Sequence, residues 1–408
     1  MDPVLNPYTP NAGARPDVLV GRDDQLAAFD VLLKRIARGR TEQSMIITGL
    51  RGVGKTVLLG QFREVALKQD WSVIEYEVVK HDDKAFRMDI AARLRMALLE
   101  LEPRARWSER FKKEAAALAS FTVSVDAEGT WQAGLNVDAI EGLADHGDLS
   151  MDLTDVLLTL GEAAQDKGKG VVLLLDEIQF LSKGQLESLI VALHKVVQRA
   201  LPITLVGAGL PQIAELAGDA KSYAERLFKF PQIGNLEEQD ARRALNEPAT
   251  AEDVSYDSDA LDLAFELTGG YPYFIQELGH AAWGVAGSTP ITRRDIEDAS
   301  ELYEAKLDAS FFRVRLDRAT ELQSAYLRAM AQLGPEPQKA GEVAAVLERE
   351  STQLGPTRAE LIDMGLLYTP QHGYAAFTVP HFDKFMLRAM PDLVIPPLKR
   401  RPRSAAGS

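Results

Sequence analysis

The chain has 408 residues, of which 46% are hydrophobic and 26% charged, a composition typical of globular proteins and a length too great for one ordinary hydrophobic core. It contains no cysteine, so disulfides and thiolate metal sites are excluded, and no apolar run approaches the roughly 18 residues of a membrane span. The formal net charge of −14 argues against broad, charge-driven coating of nucleic acid, and we expect a cytoplasmic protein.

The first half of the chain alternates between short apolar runs and segments with apolar residues at helical spacing. Residues 1–20 are rich in Pro, Asn and Gly and predict an extended N-terminal segment. The elements predicted after it are helix 23–38, strand 45–47, a helix from about residue 55, strand 73–79, helix 84–101, helix 153–165, strand 171–175, helix 185–199 and strand 203–206. Strands that alternate with helices, with apolar runs suited to burial, predict an α/β fold with a parallel sheet covered by helices on both faces.

Residues 102–150 interrupt this alternation. Apolar and polar residues alternate over 121–125 and again over 131–137, on either side of a turn at Glu128 and Gly129. This period-2 pattern predicts a β-hairpin insertion. We expect the insertion to offer a surface for self-assembly or for a partner.

A glycine-rich segment follows the first predicted strand and matches the phosphate-binding pattern G-x-x-x-x-G-K-[ST]. Its glycines let the backbone N–H groups face a phosphate, its lysine can reach the terminal phosphates, and its threonine hydroxyl can bind Mg²⁺. The helix that begins there adds its positive dipole end. We predict that ATP is bound by Gly49, Leu50, Arg51, Gly52, Val53, Gly54, Lys55, Thr56 and Val57.

The apolar strand 171–175 ends in two acidic residues, Asp176 and Glu177. The carboxyl ends of parallel strands form the edge at which α/β proteins bind ligands, so we expect both acids beside the phosphate loop. Asp176 is the predicted Mg²⁺ ligand together with Thr56, and Glu177 is the predicted general base for an attacking water. Alternatively, the two acids are only solvated or cap the next helix.

The strand pattern ends near residue 230 and helical spacing replaces it. Helices are predicted over 237–245, 258–268, 272–285 and 292–308, which together would form a small helical domain. Beyond residue 318, helices are predicted over 322–333, 340–349 and 356–364, followed by a two-stranded ribbon over 365–379.

These motifs resemble those of the AAA+ ATPases, in particular the group of archaeal-type ATPases, origin-recognition initiators and STAND signalling ATPases. Val20, Gly21 and Arg22, followed by Asp23, resemble the motif that lies beside adenine in that group. The resemblance therefore implies that residues 20–22 contact the base of ATP, and it implies a helical lid domain after the sheet.

Two later segments resemble the same group. Arg226 precedes Ile233 and Leu236 as the family's arginine precedes its last core strand, which implies an arginine that stabilises γ-phosphate charge in its own or a neighbouring subunit. A surface Arg paired with an acid is the alternative. Tyr271 and Pro272, after two glycines, resemble the motif that opens a lid helix close to the nucleotide, although a plain helix start has the same composition.

The sequence departs from the family pattern at the end of the fourth strand. There the family has a polar residue that orients the hydrolytic water, whereas residues 206–209 read Val-Gly-Ala-Gly and Thr204 lies upstream. We therefore expect hydrolysis to be slow or to depend on a partner. The 121-residue gap from Lys55 to Asp176 is also longer than in compact members, because of the insertion.

Three helices followed by a β-ribbon resemble a winged helix, whose third helix would present Gln353, Thr357 and Arg358 to a DNA groove. Residues 318–390 contain seven Lys or Arg and eight Asp or Glu, a net charge of −1. The tail adds the basic cluster Lys399, Arg400, Arg401 and Arg403, which is either a solubilising end or a phosphate-binding arm. DNA binding and protein docking are both open for this module.

The predicted organisation is an extended segment over 1–20, a P-loop ATPase domain over 21–235, a helical lid over 236–312, a winged-helix-like domain over 318–392 and a basic tail over 393–408. The leading hypothesis is a nucleotide-controlled AAA+ switch that hydrolyses ATP with Mg²⁺, forms nucleotide-dependent homo-oligomers and relays lid closure to the winged helix. The alternative is an initiator-like ATPase that assembles on DNA. A small-molecule kinase would share the phosphate loop but would not need the C-terminal modules.

Overall fold

The structure is a computed structural model that describes residues 1–11, 13–80, 82–101, 116–117, 120–121 and 144–397. The chain divides into two compact units, Met1–Ile296 and Glu297–Ser408. None of the helices in the described ranges is long and apolar enough to cross a membrane.

The first unit contains a five-stranded sheet. Its strands are β1 Ser44–Thr48, β2 Ser72–Glu77, β3 Val171–Asp176, β4 Ile203–Gly209 and β5 Phe228–Lys229. They lie in the order β2-β3-β4-β1-β5, and all the pairings are parallel. The predicted α/β fold is therefore confirmed. The apolar pattern did not predict the short strand β5, although the family resemblance implies a last core strand after Arg226.

Helices flank the sheet and bury the central strands β1, β3 and β4 on both faces, whereas the edge strand β2 exposes Glu75 and Glu77. The helices are α1 Asp23–Ile36, α2 Lys55–Lys68, α3 Asp83–Leu101, α4 Leu149–Asp166, α5 Lys183–Gln198, α6 Ile213–Ala220 and α7 Ala224–Leu227. The first five residues of β3 and all of β4 are buried, as wholly apolar strands require. The rings of Phe29 and Phe62, 4.4 Å apart, join α1 to α2.

The predicted hairpin insertion lies almost entirely outside the described residues. At its start, however, Phe121 is helical and buried, so the prediction of a strand beginning at this residue is wrong. Phe121 lies under the guanidinium of Arg87, 4.8 Å from the ring centroid. Burial against α3 has overridden the alternating pattern of the local sequence.

Three helices follow the sheet in the same unit: α8 Glu238–Ala251, α9 Ser258–Thr268 and α10 Pro272–Val285. The N-terminal segment packs on them. Tyr8 is buried, and its hydroxyl lies 2.6 Å from the carbonyl oxygen of Leu245 and 2.8 Å from the hydroxyl of Tyr256. The indole of Trp283 donates a hydrogen bond to the carbonyl of Asp2, at 2.8 Å. The segment predicted as an extended lead-in is thus part of the helical core.

The boundary between the units lies within helix α11 Arg293–Lys306. The second unit continues with a π-helical turn Leu307–Phe312, then α12 Arg313–Leu316, α13 Glu321–Leu333, β6 Gln338–Lys339, α14 Ala340–Val346, α15 Ser351–Asp363, β7 Leu367–Tyr368, β8 Tyr374–Phe377 and α16 Phe382–Ala389. Its three strands form an antiparallel sheet in the order β6-β8-β7.

The three predicted helices and the ribbon of this unit are present, with two differences. Strand β6 adds a third strand that the sequence did not predict, and α15 begins at Ser351, because Glu350 and Gln353 form a capping box. Thr357, expected to face a DNA groove, is buried, whereas Gln353 is exposed and Arg358 half-buried. The winged-helix assignment itself stays a prediction.

Candidate active site

The candidate site lies at the carboxyl edge of the sheet, where β4 lies between β1 and β3. The phosphate loop follows β1 and the two acids end β3, so one strand separates them. The N–H of Gly49 donates to the carbonyl oxygen of Gly209, at 3.1 Å, which joins the start of the loop to the end of β4. The parallel topology thus brings residues 49–56 and 176–177 to the same edge, as the sequence predicted.

Two glycines give the loop its shape. Gly52 and Gly54 have φ angles of +82° and +92°, a region that residues with a side chain rarely adopt. Gly54 is the N-cap of α2, which begins at Lys55. The N–H groups at the start of this helix have no partner within it, so the loop ends on a positive dipole that suits an anion.

Lys55 is almost fully buried at the head of α2, with 7% of its surface exposed. Its ammonium donates to the carbonyl oxygens of Gly49, at 3.0 Å, and Leu50, at 2.8 Å. Burial lowers the pKa of Lys55 to about 8, although the carboxylates of Glu177 and Asp176 oppose this shift. The close partners of this ammonium are neutral carbonyl oxygens, and the charged carboxylates of Glu177 and Asp176 are not among them. A phosphate in the loop would supply a negatively charged partner at close range.

Thr56 and Asp176 form a direct bridge between the two halves of the site. The hydroxyl of Thr56 donates to Oδ2 of Asp176, at 2.6 Å. Hydroxyl and carboxylate oxygens are hard ligands that suit Mg²⁺. The two side chains therefore fit the predicted metal site. They lie in direct contact although they are 120 residues apart in the sequence.

Glu177 takes up the left-handed conformation, with φ 53° and ψ 36°, and caps a 3₁₀ turn, Ile178–Phe180. Its side chain accepts a hydrogen bond from Nε2 of Gln179. Oε1 of the same Gln179 accepts the backbone N–H of Leu210, at 3.1 Å. The carboxylate of Glu177 is thus tied through one amide side chain to the residue that follows β4.

The motif at residues 20–22 contacts the loop through Arg22. The Arg22 guanidinium is buried and donates to the carbonyl oxygens of Val53, at 3.2 Å, and Gly234, at 2.7 Å. Desolvation lowers the pKa of Arg22, and Asp240 partly opposes this shift. Arg22 therefore fastens the phosphate loop to the segment that follows β5. The predicted contact of residues 20–22 with adenine stays a prediction.

The predicted lid motif also lies against the phosphate loop. Tyr271 is fully buried, and a side chain built on Gly52 would place its Cβ 2.9 Å from the Tyr271 hydroxyl oxygen. The carbonyl of Gly270 accepts the N–H of Leu236, at 2.8 Å. Pro272 is the first residue of α10, as the preference of proline for the first turn of a helix predicted. The glycine at position 52 is therefore required by this close approach as well as by its φ angle.

Arg226 lies on the four-residue helix α7, directly before β5. Its side chain is exposed. The structure brings Lys55, Thr56, Asp176 and Glu177 to one edge, but nothing brings Arg226 into that group. Its action on the γ-phosphate stays a prediction.

Gln179 is the site residue that the sequence analysis missed. The available signal was the pair of glycines in β4, because a glycine within a strand often marks a close approach of another segment. A Cβ on Gly207 would lie 2.9 Å from Ile178, and a Cβ on Gly209 would lie 2.8 Å from Oε1 of Gln179. The two glycines leave space for the turn after Glu177.

Two family models match the chain. Residues 18–206 match a model described as an AAA ATPase domain, and residues 309–386 match one described as a domain of unknown function (DUF8462). A search of curated proteins gave no match. The first match supports an AAA+ P-loop ATPase.

Solved structures similar to this chain include the Walker-type ATPase PABY2304 of Pyrococcus abyssi, with 16% identity and a TM-score of 0.51 over 91% of this chain and 97% of that chain. The Orc1 protein of Aeropyrum pernix in complex with DNA has 16% identity and a TM-score of 0.44, over 92% and 94% of the two chains. The RuvB Holliday junction branch migration motor of Thermotoga maritima has 15% identity and a TM-score of 0.45, over 91% and 95%. At these identities the first likeness shows the fold alone, and the other two carry no further argument.

Proposed function

We propose that this chain is an AAA+ switch that binds ATP with Mg²⁺, hydrolyses it to ADP and phosphate, and relays lid closure to its C-terminal module. The observation that carries the proposal is the 2.6 Å contact between Thr56 and Asp176, which unites the phosphate loop with the acidic strand end. The match of residues 18–206 to AAA ATPase domains supports it.

The phosphate-binding part of the mechanism belongs to the loop and to Lys55. The N–H groups at the start of α2 would hold the phosphate oxygens, and the Lys55 ammonium would leave the carbonyls of Gly49 and Leu50 for the terminal phosphates. Thr56 and Asp176 would hold the metal. When bound, Mg²⁺ neutralises charge on the phosphate oxygens.

Glu177 is the proposed general base. It follows β3, which is separated from β1 by the single strand β4. Its carboxylate would take a proton from the water that attacks the γ-phosphate. Arg226 would stabilise the charge that develops on the phosphate, in its own subunit or in a neighbour of a nucleotide-dependent homo-oligomer.

The lid is proposed to sense the nucleotide through Tyr271. This side chain lies against Gly52, and Tyr271 is the N-cap of α10. A movement of the phosphate loop on ATP binding would therefore displace the start of α10. Closure of such a helical lid is a common way to convert nucleotide occupancy into movement. The module after Glu297 would then dock a partner protein or DNA.

The experiment measures ATP affinity by calorimetry and turnover by phosphate release. Lys55→Ala should abolish binding or hydrolysis, whereas Lys68→Ala, an exposed lysine at the end of the same helix, should behave as the parent. Glu177→Gln should keep ATP affinity and lower turnover by about 10²–10⁴-fold, with the exposed Glu215→Gln as the control. A parent rate in the Glu177→Gln protein would refute the base assignment.

The alternative, an initiator-like DNA-binding ATPase, predicts binding that weakens steeply as salt rises. Gel shift and salt titration of the full chain would separate it from the switch, since no binding at low salt excludes the initiator. The net charge of −1 over residues 318–390 and the burial of Thr357 favour the switch.

A further inference from the structure

We propose that Gln179 is a positioning residue that holds the carboxylate of Glu177 in place for hydrolysis. The inference rests on the proposed function, because it assumes that Glu177 is the general base. It extends that function by assigning a role to Gln179. This residue belongs to the turn after β3, and its side chain reaches the end of β4.

The contact is formed within a very short stretch of chain. Glu177 adopts the left-handed conformation, so the chain reverses into the 3₁₀ turn Ile178–Phe180, and Ile178 is fully buried. This reversal brings the amide of Gln179 back to the carboxylate oxygen Oε2 of Glu177. A left-handed conformation is uncommon for a residue with a side chain and needs support from its surroundings.

The surroundings also set the orientation of the amide. The backbone N–H of Leu210 can only donate, so it requires the oxygen Oε1 of Gln179 as its acceptor, at 3.1 Å. With the oxygen turned to Leu210, the amide nitrogen must face Glu177. The main chain after β4 therefore selects the one orientation in which Gln179 donates to the carboxylate.

The end of β4 is built to receive this side chain. A Cβ on Gly209 would lie 2.8 Å from Oε1 of Gln179, closer than real Cβ contacts, so any side chain there would displace the amide. The carbonyl of the same Gly209 accepts the N–H of Gly49, at 3.1 Å. One backbone segment thus connects the phosphate loop, Gln179 and Glu177.

The physical consequence is that the glutamate side chain loses rotational freedom before the reaction starts. A general base must stand within hydrogen-bond reach of the proton that it removes, and a misplacement of about 1 Å can cost about 10²-fold in rate. Gln179 is neutral and donates one hydrogen bond, so it can orient the carboxylate without forming an ion pair with it.

The first test replaces only the donor. Gln179→Glu has nearly the same shape and keeps an oxygen for the Leu210 N–H, but it cannot donate to an ionised Glu177. In a single-turnover assay with enzyme in excess, which measures even slow hydrolysis, we expect the rate to fall about 10–100-fold, while ATP affinity by calorimetry stays within about two-fold. A parent rate, or a faster one, would overturn the inference.

The second test asks whether Gln179 acts through Glu177. In the Glu177→Gln background, Gln179→Glu should cause no further loss, because two residues that act as a unit are strongly non-additive. A merely structural role would lower the residual rate of both backgrounds by the same factor. Equal factors would therefore overturn the proposal, and the melting temperature of each variant reports any loss of fold.

The third test uses the space at Gly209. In the parent, Gly209→Ser should lower the rate, because its Cβ displaces Gln179. In Gln179→Ala the contact with the amide is absent and only the 3.0 Å contact with Cγ2 of Ile178 remains, so Gly209→Ser should lower the rate of the Ala variant by a clearly smaller factor. The same factor in both backgrounds would contradict a role for Gln179 at this position.

These outcomes separate the inference from the proposed function. If Glu177→Gln hydrolyses ATP at the parent rate, the base assignment fails and the inference falls with it. If Glu177→Gln stops turnover while Gln179→Glu leaves it unchanged, the proposed function stands and only the role of Gln179 is refuted.

Discussion

ATP binding is expected to take up a proton at alkaline pH, because of the environment of Lys55. Without nucleotide this ammonium is 7% exposed and faces only two carbonyl oxygens at close range. Burial lowers its pKa from the ordinary 10.5 to about 8. Triphosphate oxygens would restore the pKa to its ordinary value or above, because an adjacent opposite charge favours the charged form.

The expected magnitude follows from these two pKa values. At pH 9, a lysine with a pKa of about 8 is roughly 10% protonated, whereas one with the ordinary pKa of 10.5 is almost fully protonated. Binding should therefore take up about 0.9 proton at pH 9 and only about 0.1 proton at pH 7. The sign is fixed, because the bound state holds the proton that the free state has released.

The assay is calorimetry of ATP binding with Mg²⁺ in buffers of different ionisation enthalpy, at several pH values from 7 to 9. The slope of the observed enthalpy against the buffer enthalpy gives the number of protons taken up. A terminal phosphate group loses its last proton with a pKa of about 6, well below pH 9. The nucleotide itself therefore contributes little to the proton uptake at pH 9.

Lys55→Arg is the matched control, since a guanidinium stays charged in proteins and cannot take up the proton. Its slope should be close to zero at every pH at which ATP binding is measurable. A parent slope near zero at pH 9, or one that does not rise between pH 7 and pH 9, would refute the assignment of Lys55 as the buried ammonium that meets the phosphates.

Three further predictions concern other parts of the chain. Tyr8→Ala should lower the free energy of unfolding by about 3–5 kcal/mol and Tyr8→Phe by about 1 kcal/mol in urea denaturation, because the buried ring and its hydroxyl support the helices after the sheet; an unchanged midpoint for the Ala variant would contradict this packing. Arg87→Leu should lower the free energy of unfolding by about 3–5 kcal/mol, because the fully buried carboxylate of Asp152 loses its ion-pair partner while the backbone N–H of His146 still donates to it. The double variant Arg87→Leu with Asp152→Leu should recover part of that loss; equal losses would show that the ion pair is not the cause. Arg226→Ala should keep ATP affinity and lower turnover, and mixing it with Lys55→Ala protein should partly restore the rate if the sites are shared between subunits; a mixture no more active than its components would exclude action in trans.

The sequence alone was sufficient for the fold class and for the phosphate loop. Apolar runs predicted strands β1, β3 and β4, because a strand buried on both faces is mostly apolar. The edge strand β2 was predicted as well, although it exposes Glu75 and Glu77, and helical spacing predicted the helices between these four strands. The glycine spacing and Lys55 predicted the loop, since the required backbone conformations are local to eight residues. The pairing of Asp176 with Thr56 followed once the sheet was assumed to be parallel.

Only the tertiary structure decided which side chains complete the site. Three hydrogen bonds between distant residues illustrate this, and they join Gln179 to Leu210, Arg22 to Gly234 and Tyr8 to Leu245. The sequence around each residue does not predict its partner. Helix and strand patterns record which face of a segment is buried, but not what packs against it. A contact between distant residues depends on how whole elements pack, so it becomes visible only when their positions in space are known.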